Sequence, residues 1–118
     1  MKTRRLLLAL LAAGALAATG GCTKKPEKLR IAMVVKNLGN GFFDAANLGA
    51  QQAAQELGNI EIIYTGPTTP SAEGQIDIIT SLISQKVDAI VVSANDPNAL
   101  VPIAKKAMAR GIKVLSFD

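Results

Sequence analysis

The stretch IAMVV, residues 31–35, is an uninterrupted apolar run, and it opens the repeating pattern that decides the fold. A continuous apolar strand is typical of parallel sheets, whose strands are covered on both faces. A helical pattern follows over residues 43–57 and stops at Gly58, a residue type favoured just past helix ends. The apolar positions of that helix are Phe43, Ala46, Ala50, Ala53 and Leu57. The stretch therefore predicts a buried strand and a helix that packs on it.

The same unit then repeats along the chain. Apolar strands are predicted over residues 60–64, 89–92 and 113–117. Ser71 is the predicted N-cap of a second helix that runs to about Lys86, and Asp96-Pro97 opens a third helix that ends at Gly111. We expect Pro102 to displace the start of the third helix by a few residues. Strand–helix alternation with short loops predicts an α/β fold with a doubly wound parallel sheet.

The loops that follow the first and third strands are the expected walls of a ligand site. Parallel α/β sheets bind ligands outside the carboxyl ends of their strands, where the strand order reverses. If the first strand lies between the second and third, as in the common doubly wound pattern, the crevice is walled by residues 36–43 and 93–97. The candidate ligand-binding residues at this edge are Lys36, Asn40, Phe42, Phe43 and Asp118, with weaker indications for Ser93 and Asn95.

These residue types suit a hydroxylated ring. Aromatic faces pack against the C–H faces of a sugar, and amide or carboxylate groups bond its hydroxyls. Each candidate also has a structural alternative. Phe42 and Phe43 could anchor the helix start to the core, Lys36 could be a solvated loop charge, and Asp118 could be a turn residue. Ser93 and Asn95 could serve either purpose.

Composition argues against several other kinds of site. The chain has no histidine and one cysteine, Cys22, so neither a His- or Cys-based metal site nor a Ser-His or Cys-His catalytic pair is expected. Gly39 and Gly41 after a strand suggest a dinucleotide motif, but Asp44 occupies the place of the third glycine. We therefore expect no cofactor and no catalytic residues.

The first 21 residues form a predicted signal peptide: basic residues, then an apolar stretch, then small residues. Cys22 directly follows the small residues, an arrangement that resembles the lipobox of bacterial lipoproteins. The alternative is an ordinary signal with a coincidental cysteine. Residues 22–28 are a polar, lipid-anchored linker in this interpretation. Without the signal's three basic residues, 13 basic and 9 acidic residues become 10 and 9. That balance does not favour a nucleic-acid partner.

Several separated segments also resemble one family: IAMVVK at 31–36, NGFF at 40–43, TGPT at 65–68, VDAIVVS at 87–93 and GIKVLSFD at 111–118. They are similar to the type I periplasmic sugar-binding proteins of ABC importers, nearest the rhamnose-binding and autoinducer-2-binding branch. The resemblance implies that residues 29–118 are the N-terminal part of lobe I. It matches residues 40–43 to the ring-contacting segment of ribose-type relatives and Asp118 to a carboxylate that binds sugar hydroxyls. Lys36 matches a ligand-contacting lysine of the autoinducer-2 branch.

The function implied by the resemblance is a lipid-anchored, extracytoplasmic subunit that binds a monosaccharide or sugar-like ligand for an ABC permease. The alternative from another class is a sensor that presents such a ligand to a membrane receptor. An extracytoplasmic enzyme is disfavoured by the lack of histidine. Because the second lobe of such proteins would follow Asp118, we expect residues 23–118 alone to hold half a site and to bind sugar weakly.

Overall fold

The computed structural model describes residues 27–118, so the predicted signal peptide and Cys22 lie outside the described residues. Strands and helices alternate throughout that region. The elements are β1 Leu29–Val34, α1 Gly41–Leu57, β2 Ile60–Thr65, α2 Ala72–Ser84, β3 Ala89–Val92, α3 Pro97–Ala109 and β4 Lys113–Ser116. None of the helices within residues 27–118 combines the length and the apolar character needed to cross a membrane.

The four strands form one parallel sheet in the order β2-β1-β3-β4. Ala32 of β1 pairs with Ile63 on one side and with Ile90 on the other. The predicted doubly wound α/β class is therefore confirmed, and β1 lies between β2 and β3, as the sequence analysis assumed from the common pattern. This order places the loops after β1 and β3 side by side at the carboxyl edge of the sheet.

The strand β1 is buried on both faces, as its continuous apolar run predicts. Ala32 and Val34 belong to the cluster beneath α2 and α3. Met33 and Val35 belong to a second cluster, with Phe43 of α1, on the opposite face. Burial of one such aliphatic or aromatic side chain contributes about 1.5–3 kcal/mol, so these two clusters supply the main driving force for folding.

Capping groups decide where the first two helices begin and end. α1 starts at Gly41, two residues before the predicted start, because Asn40 is its N-cap and accepts a 3.0 Å hydrogen bond from the Phe42 amide. α2 ends at Ser84 rather than near Lys86. Lys86 has a φ of 55°, in the left-handed region, and so cannot continue a right-handed helix. The strands agree with prediction to within two residues at either end.

The third helix corrects the expectation for Pro102. α3 begins at Pro97, and Pro102 lies inside the helix without moving its start. The Asp96 side chain fixes the first turn by accepting hydrogen bonds from the backbone N–H groups of Asn98 (2.8 Å) and Ala99 (3.1 Å). Pro102 cannot donate a hydrogen bond within the helix, and the Asp96 cap together with the buried side chains of Leu100, Ile103 and Ala107 stabilises α3 around it.

The buried stripe of α1 also differs from the predicted one near its end. Phe43 and Ala54 are buried and Ala46 and Ala50 half-buried, whereas the predicted positions Ala53 and Leu57 are exposed. The stripe continues from Ala50 by four residues rather than by three. Both spacings stay on one helix face, and the packing against β2 selects between them.

Gly66, directly after β2, leaves room for the loop that follows β1. A Cβ at this position would lie 2.8 Å from the Val35 side chain and 2.9 Å from its carbonyl oxygen. We predict that Gly66→Ala lowers the free energy of unfolding by about 1–3 kcal/mol, the usual cost of overpacking. The matched control is Gly49→Ala in the exposed middle of α1, where nothing lies within 4 Å. It should stabilise by about 0.5–1 kcal/mol. Urea denaturation measures both changes, and equal effects would contradict the prediction.

Tyr64, the single tyrosine of the chain, donates a 2.8 Å hydrogen bond to Asp44. Burial, then this bond, then the Asp44 charge raise the pKa of Tyr64 from 10.0 to about 12. The folded state thus favours the neutral phenol; this stabilisation is complete below pH 10.0 and is lost as the pH rises through about 12. We predict that ultraviolet absorbance titration of the folded chain finds this late ionisation. Asp44→Asn should reverse only part of the shift, since burial is its larger cause. A midpoint at the ordinary tyrosine value would refute the prediction.

Candidate functional site

A depression of about 350 Å³ lies at the carboxyl edge of the sheet, between the loops that follow β1 and β3. The topology brings both loops to this edge because all four strands run in the same direction. The lining residues are Lys36, Asn37, Asn40, Phe42, Phe43, Pro70, Asn95 and Asp118. Every candidate chosen from the sequence lines this depression except Ser93, which lies beneath it, fully buried.

The polar centre of the depression is an ion pair between Lys36 and Asp118. The Lys36 Nζ donates to Asp118 Oδ2 at 3.0 Å, and the Ser93 hydroxyl donates to the same oxygen at 3.3 Å. The structure thus places the lysine and the carboxylate, two of the predicted site residues, in direct contact. Both bonds use Oδ2, so Oδ1 is the oxygen that Asp118 can offer to a ligand.

The ion pair determines the charge state of the carboxylate. The hydrogen bond from Lys36, then the attraction of its charge, lower the pKa of Asp118 below its ordinary value. Desolvation opposes this shift, and the Ser93 hydrogen bond adds to it. Asp118 is therefore ionised throughout the neutral range, and an ionised carboxylate forms stronger hydrogen bonds to hydroxyl donors than a neutral acceptor does.

The two aromatic side chains at the site have different environments. Phe42 is 60% exposed, whereas Phe43 is 3% exposed and packs edge-on against Phe117 with ring centroids 6.2 Å apart. Phe42 and Phe43 also meet edge-on, at 5.3 Å. Phe43 thus anchors α1 in the core, which is the structural alternative given for it in the sequence analysis, and it packs against Phe42. The ring that can meet a ligand over a large area is Phe42.

The side-chain amide of Asn40 can cap a helix with its oxygen and bind a ligand with its nitrogen. Its Oδ1 caps α1 through the Phe42 amide, so the Nδ2 group is the end that can donate to a ligand. The cap also fixes the direction in which α1 leaves the site. Asn40 is half-buried and lines the depression beside the exposed ring of Phe42.

A buried glutamine that the sequence analysis did not select joins the two loops. Gln75 of α2 has no exposed surface, and its Nε2 donates to the carbonyl oxygens of Val35 (3.0 Å) and Ser93 (2.7 Å). Its Oε1 accepts from the Asn95 amide at 2.8 Å. One side chain therefore fixes the ends of β1 and β3 together. The sequence did contain one indication of this role. Gln75 lies four residues before Ile79, so it is a polar residue on the apolar face of the helix.

Asn95 extends this network to the ion pair. Its Nδ2 donates to the Lys36 carbonyl oxygen at 2.8 Å, so the side chain links the loop after β3 to the loop after β1. Asn95 is half-buried and still lines the depression. Its hydrogen bond positions the backbone of Lys36, whose side chain reaches Asp118.

Within residues 27–118, no three histidine, cysteine, aspartate or glutamate side chains lie close enough together to hold a metal ion.

The periplasmic binding protein domain matches residues 31–118, which is more than half of the chain. The chain belongs to the periplasmic binding protein family. This match confirms the family resemblance drawn from the sequence, and it includes both loops of the depression. The periplasmic binding protein fold also agrees with the observed sheet, in which every strand is parallel to its neighbours.

Relatives of this periplasmic binding protein domain are longer than the chain. A D-ribose/D-allose-binding protein of Pseudomonas aeruginosa is 39% identical over 95 residues, which is 79% of this chain and 30% of that protein. LsrB from Clostridium saccharobutylicum, solved with AI-2, has a TM-score of 0.73 and 30% identity over 75% of this chain and 27% of its own. A solved XylFII–LytSN complex has a TM-score of 0.72 and 27% identity, and the match covers 77% of this chain and 33% of that chain. The chain therefore spans about a third of the length of these relatives.

Proposed function

We propose that this domain contributes one wall of a site for a monosaccharide or sugar-like ligand, as the solute-binding part of an ABC importer. The observation that carries the proposal is the depression in which the Lys36–Asp118 pair lies beside the exposed Phe42 ring. A sugar ring presents both hydroxyl groups and apolar C–H faces. The ion pair suits the hydroxyls, and the aromatic ring suits the C–H faces.

Each candidate residue then has a distinct role. Asp118 Oδ1 accepts ligand hydroxyls, Lys36 donates to a ligand oxygen, and Asn40 donates through Nδ2. Ser93 and Asn95 act mainly by holding the ion pair and its loop. A second lobe would supply the opposite wall, and closure of the two lobes on the ligand would create the surface that the permease recognises. No catalytic step is assigned to any of these residues.

The proposal includes an extracytoplasmic location and a lipid anchor. The supporting observations are the family match and the sequence before Cys22, which has the layout of an export signal followed by a lipobox. In this proposal residues 1–21 are removed, Cys22 carries lipid, residues 22–28 are the linker, and the folded domain is 29–118. The intact mass of protein extracted from membranes tests the anchor. A mass without lipid on Cys22 would overturn it.

Titration calorimetry of the membrane-extracted native protein tests ligand binding. We expect saturable heat with a cyclic sugar from a set that includes D-ribose and D-allose, the sugars in the name of the Pseudomonas relative. Ribitol is the matched control ligand, because it has the hydroxyls of ribose but no ring to lie on Phe42. Ribitol should give no saturable heat. Failure of every cyclic sugar to bind would contradict the proposed function.

A sensory role is the second candidate, because one similar structure is a complex of XylFII with a second protein, LytSN. In this alternative the liganded domain would contact a membrane receptor rather than a permease. Uptake of radiolabelled ligand by cells with and without the gene separates the two. Lost uptake favours transport, whereas unchanged uptake with a lost transcriptional response favours the sensor.

The proposed role of Asp118 predicts how affinity depends on pH. Because Lys36 lowers the pKa of this carboxyl group, the ionised form persists to a lower pH than that of an ordinary aspartate. We expect the loss of sugar affinity on acidification to have its midpoint below the ordinary aspartate pKa. Calorimetry at several pH values measures this midpoint. A midpoint at or above the ordinary aspartate pKa would contradict the role of the ion pair.

A further inference from the structure

Charge is divided unequally between the two edges of the sheet. Of the eight basic residues within 27–118, seven lie toward the amino edge, where strands begin and helices end. They are Lys28, Arg30, Lys86, Lys105, Lys106, Arg110 and Lys113. Four acidic residues share that half: Glu27, Glu56, Glu61 and Asp88. Seven basic against four acidic residues give this half a net charge of +3, while the half with the ligand depression has one basic and five acidic residues.

Five of the seven cations of the amino edge line two neighbouring depressions, which share Lys86. One depression of about 440 Å³ is lined by Lys86, Lys106 and Arg110. A neighbouring depression of about 400 Å³ is lined by Lys28, Arg30 and again Lys86. We call these five residues the basic edge. Asp88 borders both depressions and Glu27 the second, so the surface is predominantly, though not purely, basic.

The charges of the basic edge are available to a partner. All its residues are exposed except Arg30, which is half-buried and donates hydrogen bonds to the Gln85 carbonyl and side-chain oxygens (3.0 and 3.3 Å). The one salt bridge within residues 27–118 joins Lys36 to Asp118 at the opposite edge. The basic edge is therefore not neutralised by ion pairs with acidic groups of the described part of the chain.

The chain itself connects this edge to the membrane in the proposed function. β1 starts at Leu29, and seven residue steps separate it from Cys22. A fully extended chain of that length reaches roughly 25 Å, so lipid on Cys22 would hold the basic edge within that distance of the headgroups. Such tethering raises the effective concentration of a weak electrostatic contact. Lys24 and Lys25 add two positive charges to the sequence of the linker.

We propose that, while the protein is not bound to the permease, the basic edge docks on the anionic phospholipid headgroups of the membrane that holds the lipid anchor. In this resting orientation the ligand depression faces away from the bilayer. Polybasic surfaces next to a lipid anchor bind anionic leaflets by this means. The inference rests on the proposed lipid attachment. It does not depend on the identity of the ligand.

Lysine labelling of the lipidated native protein tests the proposal. The protein is reconstituted in phosphatidylcholine vesicles and in vesicles of equal parts phosphatidylcholine and phosphatidylglycerol, then briefly acetylated and analysed by mass spectrometry. We expect Lys86 and Lys106 to react several-fold more slowly on the anionic vesicles at low salt, and high salt should abolish the difference. Lys36, at the opposite edge, is the internal control and should react equally on both. Equal rates for Lys86 and Lys106, or equal protection of Lys36, would overturn the proposal.

A variant separates docking from folding. Lys86 has left-handed backbone geometry, which glycine adopts without strain, so Lys86→Gly removes a charge while it should raise the melting temperature. We expect this variant to lose a large part of the protection of Lys106. Leu48→Glu, which alters net charge equally at an exposed position of α1 outside the basic edge, should keep it. Unchanged protection in Lys86→Gly would count against the basic edge.

The outcomes distinguish this inference from the function on which it rests. Protein without lipid on Cys22 refutes the proposed anchor, whatever the labelling shows. Lipidated protein with equal labelling on both vesicle types refutes the docking alone. Protection of Lys86 and Lys106 in native membranes but not on anionic vesicles also refutes it, because the contact would then be with a protein.

Discussion

Replacement of Gln75 by leucine is expected to lower the free energy of unfolding by about 3–5 kcal/mol. The change removes the hydrogen-bond partners of the Val35 and Ser93 carbonyls and of the Asn95 amide, at a site with no exposed surface. Each buried backbone group left without a partner costs about 1–3 kcal/mol, and the added apolar side chain recovers part of that loss. Urea denaturation followed by circular dichroism measures the change.

The matched control is Gln52→Leu, the same substitution on the exposed surface of α1. Gln52 donates only to Glu56, one turn away, at 3.1 Å, so its replacement should change stability by less than about 0.5 kcal/mol. Similar losses in the two variants would show that Gln75 does not hold the loops. Gln75→Glu refines the test, because a carboxylate would face two carbonyl oxygens. This variant should be more stable at acidic pH, where the protonated group donates one hydrogen bond.

The largest effect on binding is expected from Asp118→Asn. The substitution keeps the shape of the side chain but removes its charge, and with it the strong acceptor for ligand hydroxyls and the partner of Lys36. We predict that the affinity of the native protein for its sugar falls about 100-fold, since hydrogen bonds to charged groups are the stronger ones. Titration calorimetry against the sugar identified for the wild-type protein measures the loss.

Asp77→Asn provides the matched control for Asp118→Asn. Asp77 is exposed on α2 and does not line the depression, so its replacement should leave affinity unchanged. The unfolding midpoint of Asp118→Asn should stay close to that of the wild type, because the ion pair is partly exposed to solvent and such pairs contribute little to stability. Wild-type affinity in Asp118→Asn would remove this carboxylate from the proposed site. A strongly reduced midpoint would assign it a structural role instead.

Much of the fold could be predicted because its signals are local. The uninterrupted apolar run in β1 indicated a strand covered on both faces, and Ala32 and Met33 do belong to clusters on opposite faces. Asp96 and Gly58 marked helix ends by capping chemistry that involves only near neighbours. The errors arose where a local rule competed with other contacts, as at Pro102, which lies inside a helix that the Asp96 cap and buried apolar side chains stabilise.

The candidate site was predictable only as far as the topology could be assumed. Lys36 and Asp118 are 82 positions apart, and only the strand order β2-β1-β3-β4 brings their loops to one edge. The general rule for parallel sheets therefore selected the two loops that line the depression. It could not show that the two charges are in contact, nor that Phe43 is buried while Phe42 is exposed.

By itself, the sequence determined the alternation of strands and helices, three of the six helix caps (Gly58, Ser71 and Asp96) and the family, because each depends on side-chain spacing along a short stretch of chain. The tertiary structure alone decided the role of Gln75, which joins carbonyls 40 and 18 positions away, and the separation of charge between the two edges. The physical reason is that burial and hydrogen-bond partnership depend on distance in space. In a parallel sheet, residues far apart in sequence meet at the same edge.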